Sequence, residues 1–377
     1  MFKPLKPTGI LFCALILLAG CATTKKWPEE TISAPDTTHG DPALNWADAK
    51  AVKQPPPPLS VKQPPAKKTV NSPPPVVRQP APAEPVRTWV PLNRWTAQHN
   101  TGTPHFLTSA PLTTYAISSL NGVMILAVGS KKATWNGMEI QLGFEPQLID
   151  GEIYVHGLDL QKNLEPLLSA PPLTFGTNRV IVVDPGHGGM NSGTKSVLAG
   201  RYEKDFTLDW AKRLKPLLEA NGWQVFLTRT NDVEIPIYAR IAFADAHHAD
   251  VFISLHFNSA APDTRQSGLE TYSLTPTGMA STLTRGYDDP VWEVYAGNQY
   301  DAQNLQLAVR LHNALLHATG EEDRSVRRAR FMGVLTGQHR PAILIEGGYL
   351  SNPQQARRIE DPEFRQKLAE AVAGALK

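Results

Sequence analysis

The sequence predicts an α/β fold: a mainly parallel or mixed sheet of about six strands with helices on both faces. Three observations support this prediction. From about residue 175 onward, apolar runs rich in β-branched residues alternate with amphipathic helical patterns. The strand runs are apolar at consecutive positions, which is typical of strands buried on both faces. Several runs also end directly in polar turns that contain glycine, as strands of open α/β sheets do.

The elements of this region follow in chain order. Val180–Val183 is a continuous β-branched run. Phe206 then begins a helical pattern of apolar residues, for which Asn221-Gly222 is a suitable C-terminal cap. Three strands and three helices complete the prediction. Their approximate bounds are Trp223–Leu227, Ile237–Ala246, Val251–Leu255, Asn304–Ala318, Ala342–Ile345 and Pro362–Leu376.

Residues 88–170 are predicted to form a smaller α+β domain ahead of this sheet. Short runs of aromatic and β-branched residues are joined by Asn136-Gly137 and Asp150-Gly151, which are strong signals for tight hairpin turns. The segment loosely resembles the stalk domain found beside many cell-wall enzymes. A small spacer domain and a domain with a specific wall-binding role are the two interpretations. The runs are Thr114–Ile117, Val123–Val128, Glu139–Leu142 and Glu152–Val155.

Residues 1–20 are predicted to be a signal peptide, because two lysines precede the apolar run of residues 10–18. The stretch from Leu18 to Cys21 resembles the lipobox of bacterial lipoproteins, which implies cleavage before Cys21 and a lipid anchor on its thiol. An uncleaved membrane anchor and a plain secretion signal are the alternatives. Ala22 is not the Asp that retains such lipoproteins at the inner membrane. We therefore expect an envelope protein anchored in the outer membrane and facing the periplasm.

Residues 21–87 are predicted to be a disordered tether. The segment is rich in proline and poor in periodic apolar residues, so it cannot bury enough apolar surface to offset its ordering entropy. Proline biases such a chain towards extended polyproline II conformations. The expected organisation is therefore a lipid anchor, a semi-stiff tether, the small domain and a catalytic domain over residues 175–377.

Composition excludes one class of function. The formal net charge is +2, and no basic run of the kind that binds phosphate backbones is present, so a nucleic-acid partner is not expected. The one dense basic stretch is interpreted as a solvated face or a substrate-side face. It consists of Arg324, Arg327, Arg328 and Arg330.

Three of the predicted strands run into polar turns that can meet in one crevice, because ligands of open α/β sheets bind beyond the carboxyl ends of the strands. The first strand leads to His187 in an Asp-Pro-Gly-His-Gly-Gly turn. The second leads to His256, and the third leads to Glu346, which two glycines follow. Two imidazoles and a carboxylate are therefore expected at one edge of the sheet.

These residues suggest a catalytic zinc site. Such a site takes about three protein ligands and keeps a position open for water. The only cysteines are Cys13 and Cys21, ahead of the folded region, so a metal there must use histidine and carboxylate ligands. Glu203 fits as the third ligand because it lies between the glycine-rich turn and a predicted helix. The hypothesis is a Zn²⁺ ion bound by His187, Glu203 and His256.

A separate carboxylate is needed to take a proton from water and to return it to the leaving amine, and Glu346 is the candidate. Each signal has an alternative. The His-Gly-Gly turn also suits phosphate, and a histidine after a strand is often structural. Glu203 also suits a solvated helix start, where the helix dipole favours acidic residues. The common position of these residues on one sheet edge favours the metal site.

Seven stretches of the region carry a resemblance to one family. They are residues 183–189, 203–205, 227–229, 254–258, 268–272, 323–327 and 345–352. Together they closely resemble the catalytic domain of the zinc-dependent N-acetylmuramoyl-L-alanine amidases of the AmiC-like type, which has a phosphorylase/hydrolase-like fold. The resemblance implies zinc ligands at His187, Glu203 and His256 and a catalytic carboxylate at Glu346. It also implies hydrolysis of the amide between N-acetylmuramic acid and L-alanine in peptidoglycan.

Residues 276–300 depart from the pattern. Some relatives hold an inhibitory helix there that covers the zinc, so Asp288, Asp289 and Glu293 are candidates for an occluding segment that a protein activator would open. An exposed loop is the alternative. Asn258 and Arg324 are candidates for contact with the substrate or with the metal ligands.

Five other histidines have no partner pattern and are expected on the surface or on helix faces. They are His247, His248, His312, His317 and His339. Two rival functions are kept: a zinc peptidase that cleaves within the peptide stem, and a non-catalytic lipoprotein that binds the wall. Retention of all four key residues favours an enzyme over the second rival. Wall division and wall recycling are both compatible with the sequence.

Overall fold

The computed structural model describes residues 88–177, 179–198, 200–283 and 288–377. The signal peptide, Cys21 and the tether lie outside the described residues. The described residues belong to one structural unit. No helix among them is long and apolar enough to cross a membrane.

The described residues form fourteen strands. They are β1 Trp89–Pro91, β2 His105–Thr108, β3 Thr114–Ser118, β4 Val123–Ala127, β5 Lys132–Trp135, β6 Met138–Gln141, β7 Gln147–Ile149, β8 Glu152–His156, β9 Arg179–Pro185, β10 Trp223–Leu227, β11 Val251–Asn258, β12 Leu269–Leu274, β13 Asp323–Ala329 and β14 Ala342–Tyr349. The α-helices are α1 Leu92–Gln98, α2 Gly157–Asp159, α3 Glu165–Leu168, α4 Glu203–Ala220, α5 Ile237–Ala246, α6 Asp301–Thr319, α7 Gly333–Thr336, α8 Pro353–Glu360 and α9 Pro362–Ala375.

Eleven of the strands form one mixed sheet, in the order β10-β9-β11-β14-β12-β13-β6-β5-β4-β3-β2. The six strands after residue 175 stand together and are parallel, except that β12 runs antiparallel to β14. Strands β2 to β6 form an antiparallel meander that joins the sheet through a parallel bridge between Val326 and Ile140. The predicted mixed sheet of six strands is therefore confirmed for this part of the chain, and the meander extends it. The boundary near residues 170–175 stays a prediction.

Helices cover both faces of the six-stranded part. Side chains alternate between the two faces along a strand, so each buried strand feeds two cores. Ile253 and Ile343 join the core that is packed under α4, α6 and α9. Phe252 and Leu344 join a second core with α5 and α7. Because helices cover both faces of the sheet, both sets of side chains on a strand are buried. This explains why the strands are apolar at consecutive positions.

The two predicted hairpin turns, at Asn136-Gly137 and at Asp150-Gly151, are present in the structure. Asn136 and Asp150 have φ values of 50° and 50°, and Gly137 and Gly151 follow with 84° and 81°. Positive φ at both central residues is the type I′ geometry, whose twist matches that of the flanking strands. The turns join β5 to β6 and β7 to β8.

One sequence expectation is met in part, and another is wrong. His312 lies on a helix, α6, as one of the two alternatives had it, but it is fully buried, with its ring between Thr271 Oγ1 at 2.9 Å and Asp323 Oδ1 at 3.0 Å. Arg328 and Arg330 are each 3% exposed, so they are not a solvated face. The guanidinium of Arg328 donates to Ser273 Oγ and to Asn163 Oδ1, and these polar partners make its burial tolerable.

Candidate active site

The carboxyl ends of β9, β11 and β14 bring the predicted site residues together. His256 lies on β11, which pairs in parallel with both β9 and β14. Glu346 on β14 stands in register with His256 on one side and with Glu270 of β12 on the other. Residues in register on neighbouring strands project to the same face, so His256, Glu346 and Glu270 form a row across the sheet. His187 follows β9 by two residues.

His187, Glu203 and His256 form a buried cluster. His187 Nε2 lies 3.0 Å from Glu203 Oε2, and His256 Nδ1 lies 2.8 Å from Glu203 Oε1. One ligand atom from each residue lies within 4.8 Å of the others. The two imidazole rings stand edge to face, with centroids 4.9 Å apart. Such a group of two nitrogens and a carboxylate oxygen can hold one metal ion.

Glu203 is fixed at the first residue of α4. Its side chain is buried, which rules out the alternative of a solvated helix start. Its Oε2 accepts a hydrogen bond from Thr194 N at 3.0 Å, and its Oε1 accepts one from Phe257 N at 3.0 Å. Since these donors are backbone groups of two different segments, they fix the position of the carboxylate between the two segments.

Two glycines make room for the cluster. A Cβ on Gly186 would lie 2.3 Å from the His256 ring. A Cβ on Gly193 would lie 2.5 Å from Glu203 Oε2 and 2.7 Å from the His187 ring. Real Cβ atoms do not approach that closely, so only glycine fits at either position. His187 itself has a φ of 62°, in the left-handed region that is uncommon for residues other than glycine, and backbone strain of this kind concentrates at functional sites.

A buried ion pair supports the turn that carries His187. Asp184 is fully buried and is paired with Arg240 on α5, which also donates to His187 O at 2.8 Å. Asp184 Oδ1 and Oδ2 also accept hydrogen bonds from Thr228 Oγ1 at 2.5 Å and Ser254 Oγ at 2.8 Å. Asp184 lies on β9, Ser254 on β11, Arg240 on α5, and Thr228 directly after β10, so these contacts tie the turn to both neighbouring strands and to α5. Sequence reasoning missed this support, although an Asp at a buried strand end is itself a signal for it.

The electrostatics of the cluster favour a cation. Burial raises the pKa of Glu203, but the imidazoles of His187 and His256 outweigh burial and leave it far below its ordinary value. Burial lowers the pKa of His187, yet Glu203 and Asn191 outweigh burial and raise it overall. Burial prevails at His256 and lowers its pKa. An ionised carboxylate therefore lies between two imidazoles in a place with little solvent.

The ring nitrogens of His187 are also arranged in a way that suits a metal ion. His187 Nδ1 lies 2.7 Å from Asn191 Oδ1, so the ring can donate there and keep Nε2 as a lone-pair donor. Among the described residues, buried His187 Nε2 makes no hydrogen bond of suitable geometry, although Glu203 Oε2 lies 3.0 Å away. Leaving a buried polar atom unsatisfied is unfavourable, and coordination to a metal would satisfy it.

Asp288, Asp289 and Glu293 do not belong to the metal-binding group found among the described residues. Asp288 is exposed, Asp289 Oδ2 accepts a hydrogen bond from Ser281 N, and Glu293 Oε2 accepts one from Tyr295 OH at 2.8 Å. The occluding role of these residues stays a prediction.

Asn258 and Arg324, the candidates for substrate contact, both reach the row of site residues. Asn258 Nδ2 donates to Glu270 Oε2 at 2.9 Å, and Arg324 Nε donates to Glu270 Oε1 at 3.2 Å. Arg327 Nε lies 3.1 Å from the same Oε1. The sequence analysis named Arg327 only as part of a basic stretch interpreted as a solvated or substrate-side face, and it did not single out Glu270. The signal that could have found Glu270 is a charged residue at the start of a strand that is otherwise buried.

A profile of the N-acetylmuramoyl-L-alanine amidases, Amidase_3, matches residues 181–377, more than half of the chain. This chain belongs to the N-acetylmuramoyl-L-alanine amidase family. The amidase region contains all four predicted site residues, His187, Glu203, His256 and Glu346. The family membership that the sequence motifs predicted is thus confirmed.

Several relatives of this amidase have been described. It is 33% identical over 263 residues to the N-acetylmuramoyl-L-alanine amidase AmiC of Escherichia coli, a match that covers 62% of this chain and 61% of AmiC. It is 30% identical over 277 residues to AmiC of Neisseria meningitidis, and this match covers 62% of this chain and 65% of that AmiC. The chain thus spans less than two thirds of the length of these relatives. The solved catalytic domain of CwlV, an amidase of Paenibacillus polymyxa, is 28% identical, with 52% of this chain and 96% of that domain covered and a TM-score of 0.44.

Proposed function

We propose that the protein is a zinc-dependent N-acetylmuramoyl-L-alanine amidase that cleaves the amide between N-acetylmuramic acid and L-alanine in peptidoglycan. The observation that carries the proposal is the buried cluster of His187, Glu203 and His256 beside Glu346, in a chain of this family. Its donor set of two imidazoles and one carboxylate is typical of catalytic zinc. When bound, zinc would polarise the scissile carbonyl and make water a better nucleophile near neutral pH.

The residues around the metal site keep its ligands ready. Thr194 N and Phe257 N hold the Glu203 carboxylate, and Asn191 orients the His187 ring. Hydrogen bonds of this kind fix the orientation and the tautomer of a ligand before the metal arrives. The Asp184–Arg240 pair holds the backbone of the His187 turn against the sheet.

Glu346 is the proposed general base and general acid. It is 2% exposed, and it stands in register with His256, so its carboxylate lies on the same face and next to the metal site. It would take a proton from the attacking water and then deliver a proton to the nitrogen of L-alanine as the amide bond breaks. Gly347 and Gly348 follow it within β14, and Gly348 has a positive φ of 132°, a backbone conformation that favours glycine.

Product analysis tests this function. Purified peptidoglycan is digested with the metal-loaded protein, with and without a chelator, and the products are identified by mass spectrometry. We expect intact peptide stems with a free L-alanine amino group, together with glycan that carries a free lactyl carboxyl group, and neither product with the chelator. Stems cut between amino acids would instead identify a peptidase, and a wall that stays intact with the metal-loaded protein would identify a non-catalytic binder.

For the location, we propose a lipid anchor on Cys21 that holds the enzyme at the outer membrane, facing the periplasm. The support is the lipobox-like sequence that ends at Cys21 and the proline-rich stretch that follows it. In cells that express the full chain, Cys21→Ser should move the protein from the detergent phase to the aqueous phase while its amidase activity persists. A variant that still fractionates with membranes would contradict the anchor.

Regulation by a protein activator is a further part of the proposal. It depends on the segment of residues 276–300, whose Asp288, Asp289 and Glu293 would reach the metal in a covered state. An activator would favour the open state only to the extent that it binds this state more tightly. Deletion of the segment should raise basal hydrolysis of purified wall. A folded deletion variant that is no faster than the parent would contradict the occluding role.

A further inference from the structure

A second charged cluster lies on the same sheet edge as the metal site. It consists of Glu270 on β12 with Arg324 and Arg327 on β13, and we call it the arginine cluster. Neither the coordination of a metal nor proton transfer by Glu346 requires these residues. The row across the sheet runs from His256 through Glu346 and Glu270 to these arginines.

A β-bulge builds the arginine cluster. Leu269 pairs with Asp323, and Thr271 pairs with Val326, so two steps along β12 match three steps along β13. The extra residue of β13 lies between Asp323 and Val326, and Ser325 in this interval has a φ of 85°. A residue with a β-carbon pays conformational strain in this region, and bulges of this kind are common where a strand must aim side chains at a site.

The bulge changes which side chains share a face. Arg324 and Arg327 are three residues apart, so in a regular strand they would project to opposite faces. The extra residue between them brings both to the face of Glu270. The Nε atoms of Arg324 and Arg327 then lie 3.2 Å and 3.1 Å from Glu270 Oε1.

Glu270 is saturated by its partners. It is 2% exposed, and its Oε2 accepts hydrogen bonds from Asn258 Nδ2 at 2.9 Å and from Tyr272 OH at 2.7 Å. With both oxygens engaged, the carboxylate fixes the two guanidinium groups and has little capacity left for another cation. One negative charge faces two positive charges, so the arginine cluster keeps a net positive charge.

The arginines keep contact with solvent. Their side chains are 23% and 15% exposed, for Arg324 and Arg327 respectively. Among the described residues, the hydrogen bond of Arg327 to Arg324 O, at 3.0 Å, and its contact with Glu270 Oε1, at 3.1 Å, both use Nε. The Nη donors of Arg327 are therefore available to a ligand. A guanidinium that is held in position by Nε and offers its Nη groups is well suited to bind a carboxylate.

We propose that the arginine cluster is a subsite that recognises a carboxylate of the peptide stem. The inference rests on the proposed amidase function and adds a determinant of substrate specificity. The strand of the arginines lies two strands beyond that of Glu346, roughly 10 Å at about 4.8 Å per strand. An extended peptide advances about 3.5 Å per residue, so the second or third residue from the scissile amide reaches the arginines. The subsite selects stems with a free carboxylate at that point.

Two matched pairs of substrates test the subsite. Each pair is a muramyl peptide with a free carboxylate on its second or on its third stem residue, together with its carboxamide counterpart. The two members of a pair differ in charge and hardly in shape. For at least one pair we expect the unaltered, metal-loaded enzyme to have a kcat/KM about tenfold higher for the carboxylate, the size of effect that a lost charge-assisted hydrogen bond gives.

Arg327→Gln is the informative variant, since Arg324 still pairs with Glu270. The kcat/KM ratio of carboxylate to carboxamide should fall to about one, mainly through a higher KM for the carboxylate substrate, and calorimetry should show the same loss for the free stem peptide. Arg327→Lys should restore part of the ratio. Arg310→Gln, which removes an exposed arginine on α6, is the matched control and should leave the ratio and the rates unchanged.

Two outcomes would overturn the subsite. One is a ratio near one for both pairs in the unaltered enzyme, and the other is a ratio that Arg327→Gln leaves unchanged although the variant is folded. Failure of the proposed function itself looks different, because the metal-loaded, unaltered protein would then cleave none of the four substrates. That outcome would overturn both proposals.

Discussion

Two buried glutamates at one edge of the sheet have opposite surroundings. Glu203 accepts hydrogen bonds from two backbone N–H groups and lies against two imidazoles. Glu270 accepts hydrogen bonds from an amide and a phenol and lies against Arg324 and Arg327. Both side chains are nearly inaccessible to solvent. The difference therefore lies in the partners and not in burial.

The comparison shows how partners decide what a buried carboxylate does. Imidazoles can be neutral and can turn their lone pairs to a cation, so Glu203 and its neighbours can coordinate a metal. Guanidinium groups are always charged and only donate, so Glu270 cannot share a metal with them and instead positions them. One carboxylate thus belongs to the proposed cation site, while the other supports the proposed anion site at the other end of the sheet edge.

The largest expected effect is at the cation end of the row. His187→Ala removes one of three ligands, and we expect loss of bound zinc, measured by elemental analysis, and loss of all detectable amidase activity. The fold should persist, because His187 lies in a turn at the sheet edge. His317→Ala, an exposed histidine on α6, is the control. Stoichiometric zinc in the His187→Ala protein would break the assignment of the cation site.

Glu346→Gln tests the residue between the two ends of the row. The variant keeps the shape of the side chain and loses its proton-transfer capacity, so the rate of wall hydrolysis should fall about a hundredfold or more. Bound zinc should remain at one ion per chain, because Glu346 is not one of the metal ligands. A turnover number like that of the parent would transfer the role of the base to another carboxylate.

A second pair of buried carboxylates, Asp159 and Asp184, shows the effect of the partners on pKa. Asp159 accepts hydrogen bonds from Gly143 N, Phe144 N and Asn163 Nδ2, and burial raises its pKa from 3.8 to about 6. At Asp184, burial raises the pKa, but Arg240, together with the hydroxyls of Thr228 and Ser254, outweighs burial and brings it below 3.8. Neutral donors therefore leave a buried carboxylate easy to protonate, whereas a paired guanidinium keeps it ionised.

The two aspartates have opposite linkage to stability. Asp159 has a folded pKa above its ordinary value, so its favourable contribution is present below about pH 4 and is lost as the pH rises through 6. The contribution of Asp184 is present above about pH 4 and is lost as the pH falls through its depressed folded pKa. The rise of about two pKa units at Asp159 corresponds to a change of at most about 3 kcal/mol in the free energy of unfolding.

Denaturant unfolding between about pH 4 and pH 8 measures this difference. Relative to the parent, Asp159→Asn should lose the decline in the free energy of unfolding between pH 4 and 6. Asp150→Asn, at an exposed turn position of the same region, should follow the parent at every pH. Parallel pH profiles for the parent and Asp159→Asn would contradict the raised pKa of Asp159.

Much of the fold was accessible from the sequence because its signals are local. The hairpin turns at Asn136-Gly137 and Asp150-Gly151 need only two residues, and α5 has the predicted bounds Ile237–Ala246. The three residues of the candidate metal cluster were also accessible, because each follows an apolar strand run or begins a helix. Local patterns of this kind determine secondary structure and strand ends.

The geometry of the arginine cluster was not accessible, because it depends on register. The bulge at Ser325 changes which face Arg327 occupies, and no local pattern predicts it. The burial of His312 on α6 was missed for the same reason, since its partners Thr271 and Asp323 come from two strands that are distant in sequence or in register. Polar residues buried by tertiary pairing are where sequence reasoning failed in this protein.

Metal content in two matched variants tests the contrast between the glutamates most directly. Glu203→Gln and Glu270→Gln make the same chemical change at two buried positions on one sheet edge. After loading with Zn²⁺ and dialysis, elemental analysis should find about one zinc per chain in the parent and in folded Glu270→Gln, and almost none in Glu203→Gln. Equal zinc in both variants, or its loss from Glu270→Gln alone, would contradict the assignment of the cation site to Glu203.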